Sequence, residues 1–385
     1  GISNARHSAL PAGTHALSAR FTALFALLAL SVPQGIAAAP LSDDWPSFRG
    51  SPQMAGVAKG AFSARPRLLW TYEAKSPVEA TAAIVGNTVY VGTAKGELLA
   101  LDLAHGKLRW RFLADGGISA SPCVADGRVT FGSEKGTFYA VNATNGRLVW
   151  KAQTDDKIIS SATAAPGVVL VGSYDNTLYC LDAKSGKAKW KFTADAQVHC
   201  SPCVADGRVL IAGCDGQVRA IDLGTGRQRA AASVDANFSA APACVGGVAY
   251  VGALSGEYLA VRAQDGKVLW RFAEKEEGGC YASAAVSGSA VVFASKSGRI
   301  FRVDAATGKT RWAFRAREGV ESSPVIAGNT LFVGSGDGYL YALDLSSGKK
   351  VWQHRAGAEI KASPAIGRGR LVIGAMDGAV YCFGK

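Results

Sequence analysis

From Ser76 onward the chain is written in short runs where apolar and small or polar residues take turns. Ser322-Ser323-Pro324-Val325-Ile326, Leu331-Phe332-Val333-Gly334, Tyr339-Leu340-Tyr341-Ala342-Leu343 and Lys350-Val351-Trp352-Gln353 form one such group. Side chains of an extended strand alternate between two faces, so each run predicts a half-buried strand and the group a four-stranded antiparallel unit. Between the second and third runs a glycine or asparagine recurs, at Gly96, Gly136, Asn176, Gly216, Gly256, Gly298, Gly338 and Gly378. A tight hairpin needs φ > 0 there, which these two residue types tolerate most cheaply. Ahead of the fourth run a second turn recurs, with Asp102 four residues before Gly106 and Asp344 four before Gly348. Its carboxylate is expected to cap backbone N–H groups of its own loop.

The unit repeats at a step of 40 residues, and once of 42, marked by Trp70, Trp110, Trp150, Trp190, Trp270, Trp312 and Trp352, with Ala230 in the remaining slot. Such periodicity means stacked supersecondary units, and four antiparallel strands per unit without a helical period make propeller blades. Seven full repeats run from Ser76 to Gly357, and an eighth starts at Ala358 with three strands. Its fourth strand is supplied by Pro66 to Ala74, which carries Trp70 in the right slot. The expected fold is all-β, an eight-bladed propeller over residues 66–385 whose last blade is completed by the N-terminal strand, which leaves no open edge. The extra residues of the longer step, Glu276-Glu277, are placed in a loop before an innermost strand.

Residues 1–39 read as a signal peptide, with Arg6 and Arg20 as the only full charges, an apolar run from Phe21 to Val32, and Ala37-Ala38-Ala39 as a small-residue cleavage pattern. The apolar run is shorter than the roughly 20 residues of a membrane span. Export to the periplasm or beyond is therefore expected, with no membrane span. The first cysteine is Cys123, so a lipid anchor is not expected. Residues 40–65 form an N-terminal extension to the ring.

The net charge of +12 would suit nucleic acid, but the lysines and arginines fall into fixed slots of each unit, Lys107 to Lys349 leading into the fourth strand and Arg109, Lys189, Arg229 and Arg311 two residues on. Basic side chains on an exposed edge strand discourage edge-to-edge pairing. With export also expected, nucleic acid is not the anticipated partner.

The unit from Ser322 to Trp352 closely resembles the PQQ-like propeller repeat, and Asp44-Trp45-Pro46-Ser47-Phe48-Arg49-Gly50 resembles an opening seen in exported bacterial members of that family. The resemblance implies either a quinoprotein dehydrogenase, binding PQQ and calcium, or a non-enzymatic envelope scaffold of the BamB-like kind. Dehydrogenase hallmarks that the resemblance would bring, a vicinal cysteine pair and long loops, have no match here, since no two of the eight cysteines are adjacent. The reading adopted is a monomeric scaffold, without catalytic residues, cofactor or metal, that binds a protein of the cell envelope. A PQQ- or metal-dependent oxidoreductase and a carbohydrate- or polymer-binding module are the alternatives.

One ring of positions concentrates chemical diversity: Glu79, Ser119, Ile159, His199, Ser239, Tyr281, Glu321 and Lys361 at the entrances of the innermost strands. These surround the expected channel mouth, where propellers bind ligands. Glu79, His199, Ser239, Tyr281, Glu321 and Lys361 are the candidate binding residues. Glu79 and Glu321 are read as far apart around the ring, so a shared cation is not expected. His199-Cys200-Ser201-Pro202-Cys203 looks like a metal motif, yet on a strand side chains three apart face opposite ways. Cys214 is instead placed across the hairpin from His199, where a Cys–His pair would lower the thiol pKa. The cysteines are expected to be mostly buried free thiols, with Cys203 and Cys244 in adjacent blades as the pair hardest to exclude from bridging. Trp45, Phe48 and Arg49 are expected to pack over the ring.

Overall fold

The computed structural model describes residues 43–273 and 278–385. The signal-peptide reading of residues 1–39 and the Glu276-Glu277 insertion lie outside the described residues. What is described is a ring of eight sheets, each of four antiparallel strands, numbered β1–β32 along the chain. The first repeat supplies β2 (Ala83–Val85), β3 (Thr88–Gly92), β4 (Glu97–Asp102) and β5 (Leu108–Leu113), ordered from the axis outward. Innermost strands are shorter than the alternation suggested: Ser322-Ser323-Pro324 precedes β26 (Val325–Ala327) rather than belonging to it.

Ring closure follows the expected route. Strand β1 (Arg67–Glu73) pairs with β32 (Ala379–Gly384), Arg67 opposite Gly384 and Trp70 opposite Cys382, to finish the blade begun by β30 (Ala365–Gly367) and β31 (Arg370–Gly374). The blade is therefore built from both ends of the described chain.

The outermost strands carry a bulge, between Leu108 and Trp110 in the first blade and between Leu68 and Trp70 in the closing one. A bulge adds twist and re-aims the next side chain. Here it turns the tryptophan onto the neighbouring blade. Trp70, Trp110, Trp150, Trp190, Trp270 and Trp312 each donate from Nε1 to a carbonyl of the next blade, at 2.8–3.2 Å. The indole of Trp70 lies against Gly106, where a Cβ would come within 2.6 Å of its ring and φ is +69°. Glycine is needed there twice over, for backbone conformation and for close approach.

The turn that presents Gly106 is capped as expected. Asp102 Oδ1 accepts from the N–H groups of Ala104 and His105, and Oδ2 accepts from Arg109 at 2.7 Å. The same carboxylate–base pairing recurs at Asp182 with Lys189, Asp222 with Arg229 and Asp304 with Arg311. Part of the basic edge is therefore committed to its own turn. Arg109 first, then the His105 contacts, holds the Asp102 carboxyl at about 2.

Removing one of the buried tryptophans tests its role as a rivet between blades. Trp150→Ala is expected to lower unfolding free energy by about 3–5 kcal/mol, read from denaturant melts.

Candidate binding site at the channel mouth

The eight rim positions reach the axis because of their neighbours. The residue before each, such as Val78, Ile118, Ile158, Val198, Phe238 and Val320, is fully buried, and the one after is small and buried, as Ala80, Ala120, Cys200 and Ala240 are. The apolar anchor docks on a glycine of the preceding blade, so that a Cβ at Gly132 would collide with Ile158 and one at Gly334 with Ile360. With both flanks held in the core, the middle side chain is left facing the channel. Glu79, Ser119, Ile159, His199, Ser239, Tyr281, Glu321 and Lys361 accordingly line one cavity of about 210 Å³.

Two residues deeper lies a second ring: Thr81, Ser121, Ser161, Ser201, Ala241, Ser283, Ser323 and Ser363. These hydroxyls link the blades. The N–H of Thr81 donates to Ser121 Oγ, that of Ser121 to Ser161 and that of Ser161 to Ser201, at 2.9–3.0 Å. The relay resumes from Ala241 to Ser283, Ser323 and Ser363, and returns from Ser363 to Thr81 at 3.3 Å. Ala241 itself has no hydroxyl to accept.

The floor of the cavity is Phe48, from the segment ahead of β1. That segment runs round the axis as a collar, bonding to one innermost strand after another. Trp45 exchanges two hydrogen bonds with Ile84, Pro46 O accepts from Val124, Pro52 O from Val204, Gln53 O from Cys244, Ala55 O from Val286 and Gly56 O from Ile326, all at 2.7–2.9 Å. Arg49, 1% exposed, donates from Nη2 to the carbonyls of Ala284 at 3.0 Å and Pro324 at 2.5 Å. Among the described residues no carboxylate pairs with it, and burial lowers its pKa to about 9. Packing of Trp45, Phe48 and Arg49 over the ring is thus observed, in the form of a plug inside its lower end.

A further tier, from the turns after the second strands, completes the mouth. Tyr174 Oη lies 2.6 Å from His199 Nδ1, and Lys157 Nζ sits 4.4 Å from the Tyr174 ring centre. Burial raises the Tyr174 pKa, so the hydroxyl keeps its proton to donate. Lys296 pairs with Glu321 at 2.9 Å and lies 4.6 Å from the Tyr281 ring centre, while Ser119 donates to Glu134 at 3.1 Å. Lys361 is 3.7 Å from Glu359. Sequence reasoning missed Tyr174, Lys296 and Glu134. Their shared slot varies as the rim does, holding Glu134, Tyr174, Cys214, Leu254 and Lys296, and that variation was the available signal.

Three sequence readings need correction. Cys214 does not partner His199: it sits in a turn with Sγ 3.7 Å from Phe238 O, while Tyr174 of the preceding blade takes the imidazole. Its thiol is pushed up by burial and then by Asp215, the reverse of an activated thiolate. The strand argument against Cys200 with Cys203 also fails, because only Cys203 lies on a strand; the two are separated because they pack in different parts of the core. Finally, Glu79 and Glu321 stand only two blades apart, either side of the blade of Lys361, because the ring closes between them. Among the described residues no group of three His, Cys, Asp or Glu side chains could hold a metal ion, and no helix is long and apolar enough to cross a membrane.

Away from the mouth, the outermost strands of the closing, first and second blades expose Leu68, Leu69, Leu108, Leu113, Leu148 and Val149. These apolar side chains stand beside the basic slots, Arg109 and Arg111 in the first blade and Lys151 in the second.

Comparison with known proteins bears on the fold and the family. A family described as outer membrane protein assembly factor BamB matches residues 56–166, 156–277 and 263–383. Among solved structures, BamB from Moraxella catarrhalis superposes with a TM-score of 0.73 at 18% identity, over 83% of this chain and 100% of that one. The quinohemoprotein alcohol dehydrogenase of Comamonas testosteroni gives 0.77 at 15% identity, over 90% and 81%. A computationally designed protein, Ika8, gives 0.73 at 19%, over 83% and 100%. At such identities the likeness is one of fold. No curated protein matches the chain in sequence.

Two measurements test the site. Burial, and then Lys157, holds the His199 imidazole below its usual 6.5. The neutral ring's contribution to stability is therefore complete above about pH 6.5 and is lost as pH falls through the lowered value; an NMR titration should find His199 below 6.5. In the collar, a Cβ at Gly56 would collide with the Arg49 guanidinium, whereas one at Gly86 meets nothing within 4 Å, though both have positive φ. Gly56→Ala should cost about 1–3 kcal/mol more than Gly86→Ala.

Proposed function

The chain belongs to the family of the outer membrane protein assembly factor BamB, and on that premise we propose that it is a non-catalytic scaffold that binds a protein partner in the cell envelope. The observation that carries this reading is the blind funnel. Its hydroxyl ring is committed to joining blades and its floor is closed by Phe48, so the groups left for a partner are those of the rim. Tyr281 is 40% exposed, and with Lys296, Glu321 and Lys361 it offers an aromatic face among charges of both signs. Aromatic residues anchored among polar groups suit a projecting loop of another protein, where a few buried side chains carry most of the binding energy.

Export supports the same reading. The leader-like residues 1–39 and the family's description support an envelope setting, and we take the periplasm, or secretion beyond it, as its location. The family's description also supplies the proposed context, assembly of outer-membrane proteins.

The quinoprotein alternative is disfavoured by the rim chemistry. Calcium prefers several oxygen ligands at 2.3–2.6 Å. Glu321 is already neutralised by Lys296, and the ammonium of Lys361 stands on the blade between Glu321 and Glu79. These residues do not fit a calcium ion, and no step through a quinone is derived.

A photo-crosslinking residue at Tyr281 should capture one envelope protein, and Glu321→Lys should reduce that adduct at least tenfold. Adducts from position 113 on the outer edge, with none from position 281, would overturn the rim as the interface.

A further inference from the structure

The eight junctions between blades are not equivalent. Between the fourth and fifth blades the tryptophan slot holds Ala230, so Gly266 rests on the backbone of Ala231 instead of on an indole. Ala241 interrupts the hydroxyl relay at this same junction. A cavity of about 300 Å³ opens along it, lined by Arg208 from one blade and by Val248 and Arg262 from the other. Both of the links used elsewhere are missing here.

Two cysteines meet at this seam. Cys203 opens β14 (Cys203–Ala205) and Cys244 is central in β18 (Ala243–Val245), the innermost strands of the two blades. Their slots differ by one residue, and that offset is what brings them together. Ala83 packs with Val124 of the next blade, and Ala243 with Val286, because the first position of an innermost strand faces forward around the ring and the second faces back. Cys203 with Cys244 is the same contact, made by two thiols. Cys203 Sγ donates to Gln53 O at 3.3 Å, the same carbonyl that accepts from the Cys244 N–H at 2.9 Å, so one collar carbonyl gathers both residues. Both are buried, together with Met54 of the collar. Burial pushes the Cys203 thiol up.

We propose that Cys203 and Cys244 close into a disulfide that staples the seam between the fourth and fifth blades. The two are free thiols in this structure. The oxidant is a small or protein disulfide, of the class an exporting compartment supplies, and to that extent the inference rests on the export reading. The Cys244 thiolate attacks one sulfur of the oxidant and expels a thiolate. The Cys203 sulfur then displaces the second, so one S–S bond breaks and one forms, and the two cysteine protons leave with two product thiols. Met54 covers the pair once the collar is seated, so oxidation precedes docking of the collar and the bond is sealed afterwards.

The test uses the full chain, produced reduced, unfolded, and refolded in a buffer of oxidised and reduced glutathione, then denatured in alkylating agent. Of the eight cysteines, eight minus two, or six, should take the label, and peptide mapping should join Cys203 to Cys244. Reduction should lower Tm by roughly 3–6 °C. A Cys203→Ala/Cys244→Ala variant should show no such dependence on reductant. Eight labels on the refolded chain, or a bond joining any other pair, would overturn the staple. Should the bond form in the buffer but be missing from protein recovered from an exporting cell, the export reading fails and the staple stands.

Discussion

Everything in this ring depends on satisfying the backbone groups that the innermost strands turn towards the axis. Those strands are sheet edges, and an edge that faces a narrow channel cannot count on bulk water for its N–H and C=O groups. Two devices meet the demand at different depths. Near the mouth, serine and threonine hydroxyls accept from the N–H of the preceding blade, from Thr81 round to Ser363. Deeper, the collar from Trp45 to Ala58 supplies carbonyls to one strand after another. Both leave the rim unconstrained.

That division explains why chemical variety gathers where it does. The residues before and after each rim position are held in the core, and those two places further are held by the relay. Glu79, His199, Tyr281, Glu321 and Lys361 sit between these fixed points and can differ without loosening the ring. Arg49 shows what the lower end requires instead. Its charge is kept fully buried by carbonyls alone, and Gly56 must lack a side chain to make room for it.

The architecture was legible because each blade repeats its own grammar. Tryptophan, turn glycine and capping aspartate recur at fixed spacing, and the strand shared between the chain's two ends follows from counting them. The eight rim positions were legible too, through the apolar and small residues that flank them. What escaped was contact between blades. Tyr174 reaches His199 from the preceding blade, and the forward and backward facing of successive residues, which unites Cys203 with Cys244, cannot be seen inside one repeat. The collar escaped for a related reason: it carries no periodicity of its own, and its bonds reach strands as remote as that of Ile326, which donates to Gly56. Exposed leucines on the outer strands of the closing, first and second blades lie beside the basic slots and carry no period of their own.

The collar also bears on how the molecule comes into being. It leaves the ribosome ahead of the blades, and its partners Ala284, Pro324 and Ile326 are synthesised far later, while the relay from Ser363 to Thr81 closes across most of the chain. Contacts so remote in sequence slow the search for the native state, because loop-closure entropy is spent before they form. An early segment waiting unpaired, with Trp45 and Phe48 exposed, is open to wrong associations until the ring surrounds it. Maturation of this protein is therefore limited by the collar, which is made before the blades it binds and finds its place last.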